Sequence, residues 1–121
     1  MSNPPPLKPE VFEILAAMAA GELHGYAILK EIEERGTPMA ASLLYRKLRR
    51  LLEDGWVEEA DSPFEDESDA RRRYYRLTDR GRRVLEAEAR RIVELADSER
   101  VREIATAGTG SGTSGEAASR A

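Results

Sequence analysis

Between Ala40 and Arg83 the period of the apolar residues changes twice, and few folds accommodate such a change. From Ala40 to Asp54 the residues Leu44, Leu48, Leu51 and Leu52 recur at helical spacing, with Ser42, Arg46, Arg49 and Glu53 on the opposite face and Tyr45 at the flank. Gly55 ends that pattern, and Trp56-Val57-Glu58-Glu59 reads as a short strand. The stretch from Asp61 to Asp69 is acidic and contains Pro63, which marks a loop. From Arg71 to Leu77 a second strand is predicted. Alternation sets Arg73, Tyr75 and Leu77 on one side and Arg72, Tyr74 and Arg76 on the other. Thr78 is then a candidate N-cap for a further helix.

Two helices are predicted ahead of this run. Pro9 suits a first helical position, and Val11, Ile14, Leu15 and Met18 follow at helical spacing, with Gly21 as the stop. A second helix is expected from His24 or Gly25 to Arg35, with Ala27, Ile28 and Ile32 inward, Gly36 just past its end and Thr37-Pro38 as the turn. Three helices, a hairpin with a long tip and a fourth helix make a winged helix-turn-helix. The fold class is therefore mainly α with a small β-hairpin.

The fourth helix carries Val84, Leu85, Ala89, Ile92, Val93 and Leu95, with the stripe continuing to Val101 and Ile104. Arg82, Glu86, Arg90, Arg91 and Glu94 occupy its other positions. A helix with one apolar stripe that outruns its domain calls for a partner, and a two-fold copy of itself is the commonest solution. Leu85, Ala89, Ile92 and Leu95 are the expected seam, with Leu85 having a second reading as a residue that closes its own domain's core. The division of the chain is then a flexible arm (1–6), a winged domain (7–78), a C-terminal dimerisation helix (79–106) and a disordered tail (107–121). The tail is almost entirely Gly, Ser, Thr and Ala and has nothing to bury.

Composition excludes several functions. The 121 residues suffice for one domain, and 40% apolar content for one modest core. With no cysteine and a single histidine, His24, neither a thiolate site nor a histidine-rich metal site is expected, and no cofactor is implied. His24, beside Gly25 and Tyr26, is read as a helix-start or packing residue. Trp56 and Tyr75 are read as core. No nucleophile–base pair and no phosphate-binding glycine loop followed by lysine occurs, so an enzyme is not expected. The N-terminus lacks a basic region followed by an apolar one, and no apolar run reaches membrane-spanning length. A cytoplasmic protein is the expectation.

A net charge of −4 argues against nucleic acid as a partner, but the distribution argues for it. Arginines cluster at 46–50, 71–76 and 80–83. Phosphate contacts are local, and charges farther away than about 10 Å are screened. The residues expected on double-stranded DNA are Ser42, Leu43, Tyr45, Arg46, Arg49 and Arg50 of the third helix and Arg71, Arg72 and Arg73 of the hairpin. The last three have a second reading, as partners of Glu65, Asp66, Glu67 and Asp69 across the hairpin tip. A winged helix that binds proteins and not DNA is the competing function. It would expose apolar residues on the third helix.

Several short runs occur in a fixed order: His24-Gly25-Tyr26-Ala27-Ile28, Leu44-Tyr45-Arg46, Leu51-Leu52-Glu53-Asp54-Gly55, then Arg72-Arg73-Tyr74-Tyr75-Arg76-Leu77-Thr78 and Gly81. Over roughly residues 7 to 95 this set resembles the PadR family of transcriptional regulators. Leu43 stands where that family commonly has threonine. The resemblance implies a winged domain followed by a dimerisation helix, and a homodimer that represses transcription at a pseudo-palindromic operator. It also implies release by a small-molecule effector, lipophilic or aromatic in known branches.

Overall fold

Residues 6–60 and 73–112 are described by the computed structural model. The elements are α1 (Pro9–Ala17), β1 (Leu23–His24), α2 (Gly25–Glu34), α3 (Ala41–Glu53), β2 (Val57–Ala60), β3 (Tyr74–Leu77), α4 (Asp79–Asp97) and α5 (Glu99–Gly112). Contacts divide the chain into two units, Met1–Glu88 and Ala89–Ala121.

Local chemistry sets the ends of the helices. Pro9 opens α1, where its missing N–H has no intrahelical partner to lose. That helix ends at Ala17, before the expected stop at Gly21, and the chain turns through a Gly21 N–H bond to the Met18 carbonyl at 3.2 Å. Gly36 and Gly55 end α2 and α3 with positive φ, 92° and 77°, which a side chain would strain. At each, two N–H groups turn back onto the last turn of the helix. Gly36 bonds Glu33 and Thr37 bonds Ile32, while Gly55 bonds Leu52 and Trp56 bonds Leu51, at 3.0 to 3.4 Å. These are Schellman motifs. The second of them leads the chain directly from α3 into Trp56 and β2.

Thr78 ties the next helix to that turn. Its hydroxyl donates to the Gly55 carbonyl at 2.6 Å and accepts from the Gly81 N–H at 3.0 Å, and its own N–H reaches the Trp56 carbonyl at 3.1 Å. A Cβ at Gly81 would collide with the Trp56 carbonyl oxygen and lie 2.8 Å from its carbon. Glycine at 81 is what allows α4 to approach so closely.

The core of the first unit gathers Ile14, Leu15 and Met18 from α1, Ile28 and Ile32 from α2, and Leu44, Leu48 and Leu51 from α3, closed by Val57, Tyr75 and Leu85. The first eight of these are at most 2% exposed. Each is worth roughly 1.5–3 kcal/mol of burial against an exposed reference. Trp56 is half-buried and packs on this cluster.

The sheet has three strands, in the order β1-β3-β2, all antiparallel. The hairpin pairs Val57 with Leu77 and Ala60 with Tyr74. The third strand was not expected. Leu23 and His24 are too few for any periodicity, and they pair with Tyr75 and Tyr74 far along the chain. This strand also corrects the reading of the hairpin faces. Alternation would leave Tyr74 on the wet side with Arg76, yet Tyr74 is buried alongside Tyr75. Its ring and that of His24 meet edge to face, with centroids 5.4 Å apart.

In the second unit the helical stripe does not run unbroken to Ile104. It stops at Asp97, and Ser98 caps α5 by accepting the Val101 N–H at 3.3 Å. Arg102 pairs with Asp97 across that break at 3.0 Å. Helix α5 takes in residues 107–112, which were expected to lack structure. Residues 113–121 and 1–5 lie outside the described residues.

Candidate nucleic-acid interface

Helix α3 has a locked face and a free one. Leu44, Leu48 and Leu51 fix it in the core, and Ser42, Tyr45, Arg46, Arg49 and Arg50 on the rest of its surface are exposed. Leu43, expected among the contact residues, is half-buried. Tyr45 lies over Gly25 at the start of α2. A Cβ there would press on the hydroxyl end of its ring, 2.7 Å from Cε1. Glycine at 25 leaves room for the Tyr45 ring in this position.

The arginines differ in their partners. Arg50 is held by Asp54, one turn on, at 3.4 Å. Among the described residues no carboxylate lies within ion-pair distance of Arg46 or Arg49. Two unpaired guanidinium groups are thus presented by a rigid helix. The planar guanidinium fork suits bidentate contact with guanine and also binds phosphate.

On one flank of α3 the sheet closes a groove of about 410 Å³, lined by Tyr45, Arg49, Leu52, Glu59, Arg73 and Tyr75 among others. Arg73, an expected contact residue, reaches across the hairpin to Glu59 at 2.8 Å. Arg76 binds Glu58 at 2.7 Å and Glu22 at 3.3 Å, which ties β3 to β2 and to the residue before β1. The hydrogen bond to Glu58 and that residue's charge, then the bond to Glu22, raise the pKa of this guanidinium against an opposing effect of burial. The Tyr75 phenol is also pushed up, first by burial and then by the charge of Glu59. Arg71 and Arg72 lie outside the described residues.

A second groove, of about 640 Å³, runs along the other flank of α3. Leu7, Val11, Trp56 and Val84 give it an apolar floor, and Lys8, Arg46, Lys47 and Arg50 stand around it with Asp54. Sequence reasoning missed this groove and the two lysines. Lys8 lies before α1 and Lys47 is half-buried on α3, and only the tertiary fold places both on the lining of one groove.

His24 is structural, as expected. Its Nδ1 accepts the Ala27 N–H at 3.1 Å and caps α2, while its ring stacks at 6.4 Å from that of Tyr26. Among the described residues no three His, Asp or Glu side chains are grouped to hold a metal ion. No helix among them is long and apolar enough to cross a membrane.

Of the expected seam residues, Leu85 is buried in the core of the first unit, which corrects its assignment to a subunit contact. Ala89 is half-buried in the second unit. Ile92 and Leu95 are exposed there, as are Val93 and Ile104.

Comparison with known proteins agrees with this architecture. A PadR family transcriptional regulator from Eggerthella lenta DSM 2243 is 31% identical, with a TM-score of 0.61 over 73% of this chain and 75% of that one. Bacillus subtilis PadR, solved with operator DNA, is 24% identical, with a TM-score of 0.56 over 65% of this chain and 45% of that one. A cysteine-to-serine variant of MarR from E. coli shares the fold at 23% identity, with a TM-score of 0.62 over 85% and 74% of the two chains. No curated protein matches the sequence. The family model for PadR-like transcriptional regulators matches residues 14–87, well over half of the chain. The chain therefore belongs to the PadR-like family of transcriptional regulators.

Proposed function

We propose that the protein is a cytoplasmic repressor that binds a pseudo-palindromic operator as a homodimer, with α3 of each subunit in the major groove. Residues 7–78 act as the reading head, and 79–106 carry the subunit contact. One observation carries the DNA reading. Arg46 and Arg49 stand exposed and, among the described residues, unpaired on a helix whose opposite face is locked by Leu44, Leu48 and Leu51. A protein-binding winged helix would offer apolar side chains there, and this one offers arginine, serine and a tyrosine. Operator DNA in the complex of Bacillus subtilis PadR supports the same reading by likeness of fold.

The dimer is supported by the second unit, where Ile92, Val93 and Leu95 are exposed on one helix. Large apolar side chains gathered in this way call for a covering surface. Dimerisation sets two copies of α3 about one DNA turn, roughly 34 Å, or a multiple of it apart, and the operator mirrors that symmetry. Release by a lipophilic or aromatic small molecule is the regulatory part of the proposal.

Selection of bound duplexes from a random pool, followed by a gel shift, tests the reading. A selected site with inverted half-sites and two chains per duplex is the expected result. Enrichment of no sequence, or of a site without two-fold symmetry, contradicts it. Adding candidate effectors to the shifted complex tests release.

A further inference from the structure

The two flanks of α3 carry different charge. Among the described residues that line the groove on the wing flank, two cations, Arg49 and Arg73, meet one carboxylate, Glu59, which already holds Arg73 at 2.8 Å. On the other flank four cations, Lys8, Arg46, Lys47 and Arg50, meet one carboxylate, Asp54, which holds Arg50 at 3.4 Å. Among the described residues no carboxylate lies within ion-pair distance of Lys8 or Lys47. The backbone of Lys8 is anchored, because its carbonyl accepts the Phe12 N–H at 3.0 Å in the first turn of α1.

A helix is about 10–12 Å across, and the major groove is about 12 Å wide. A helix seated there has a phosphate strand on each side. The wing meets one strand, and the surface of Lys8 and Lys47 lies where the other must pass. We propose that Lys8 and Lys47 form a second contact to the DNA backbone, on the flank away from the wing, and that it supplies more sequence-independent attraction than Arg73 does. This inference rests on the DNA-binding reading above. The ligand is the sugar–phosphate backbone of duplex DNA. The lysines contact phosphate and carry no sequence preference.

The test is affinity against salt, from 50 to 200 mM, on the selected operator and on an unrelated duplex. Wild type is compared with Lys8→Gln/Lys47→Gln, with Arg73→Gln and with Arg46→Ala. Each phosphate contact contributes about 0.9 to the logarithmic salt slope. The lysine double variant is expected to lower the slope by about 1.8. It should weaken both duplexes alike, so that the preference for operator is kept. Arg73→Gln is expected to lower the slope by less than the lysine pair does. Arg46→Ala should lower operator preference. Lys8→Arg/Lys47→Arg, which keeps the charge, should retain the wild-type slope, and this separates charge from any loss of folding. An unchanged slope in the glutamine variant, or a loss confined to operator, overturns the second contact while Arg46→Ala still reports on the DNA reading. A wild type that binds neither duplex overturns both.

Discussion

Replacing Thr78 by valine removes one hydroxyl and keeps the side chain's shape, and the structure gives the cost. The hydroxyl makes two bonds, from its proton to the Gly55 carbonyl at 2.6 Å and from the Gly81 N–H to its oxygen at 3.0 Å. Loss of an N-cap costs typically about 1 kcal/mol. Loss of the second bond costs about 1 kcal/mol more, since the half-buried turn at Gly55 keeps a carbonyl with poorer solvation. The sum, about 2 kcal/mol, corresponds to a fall in melting temperature of roughly 10 °C for a domain of this size. Thr78→Ser keeps both bonds and should stay within about 0.5 kcal/mol of wild type. Urea unfolding followed by circular dichroism measures both variants. Protein concentration must be equal throughout, because association contributes to apparent stability. A valine variant within about 0.5 kcal/mol of wild type, or a serine variant as unstable as valine, refutes the role given to the hydroxyl.

Three further outcomes are expected. Gly81→Ala should destabilise by about 1–2 kcal/mol, because a collision with the Trp56 backbone outweighs the roughly 1 kcal/mol that alanine adds to a helix; a more stable variant in the same urea assay contradicts the close approach. His24→Ala should lower stability by about 1 kcal/mol or more through loss of the α2 cap, and His24→Asn, which can cap, should recover much of it in thermal melts; equal melting of the two variants removes the cap from the account. Ile92→Asp/Leu95→Asp should yield a folded monomer with weak operator binding, as read by sedimentation and gel shift. A double variant that remains dimeric would place the subunit contact elsewhere.

The sequence made the helices legible because their signals are local. Leu44, Leu48 and Leu51 mark a face by spacing alone, and Gly36, Gly55 and Thr78 mark ends because each does a job only its residue type does well. What could not be read depends on contacts between distant residues. Strand β1 exists because Leu23 and His24 find Tyr75 and Tyr74, and the burial of Tyr74 follows from the same pairing. Leu85 fits a seam by periodicity and a core by position, and only the fold decides for the core. The break at Ser98 left a local trace, since serine before Glu99 is a cap signal that the continuing apolar stripe concealed. At the interface Arg46 and Arg49 were readable as a face. The pairing of Arg73 with Glu59, and the placing of Lys8 and Lys47 on one groove, required the hairpin register and the tertiary fold.

The central claim is that α3 reads DNA through Arg46 and Arg49. The most direct measurement is the affinity of Arg46→Ala and Arg49→Ala for the selected operator and for operators changed one base pair at a time. If an arginine reads a base, its removal should cost about 1–3 kcal/mol and flatten discrimination at that base pair alone. If both variants fold, bind the operator as wild type does and keep the full pattern of discrimination, α3 is not the recognition helix.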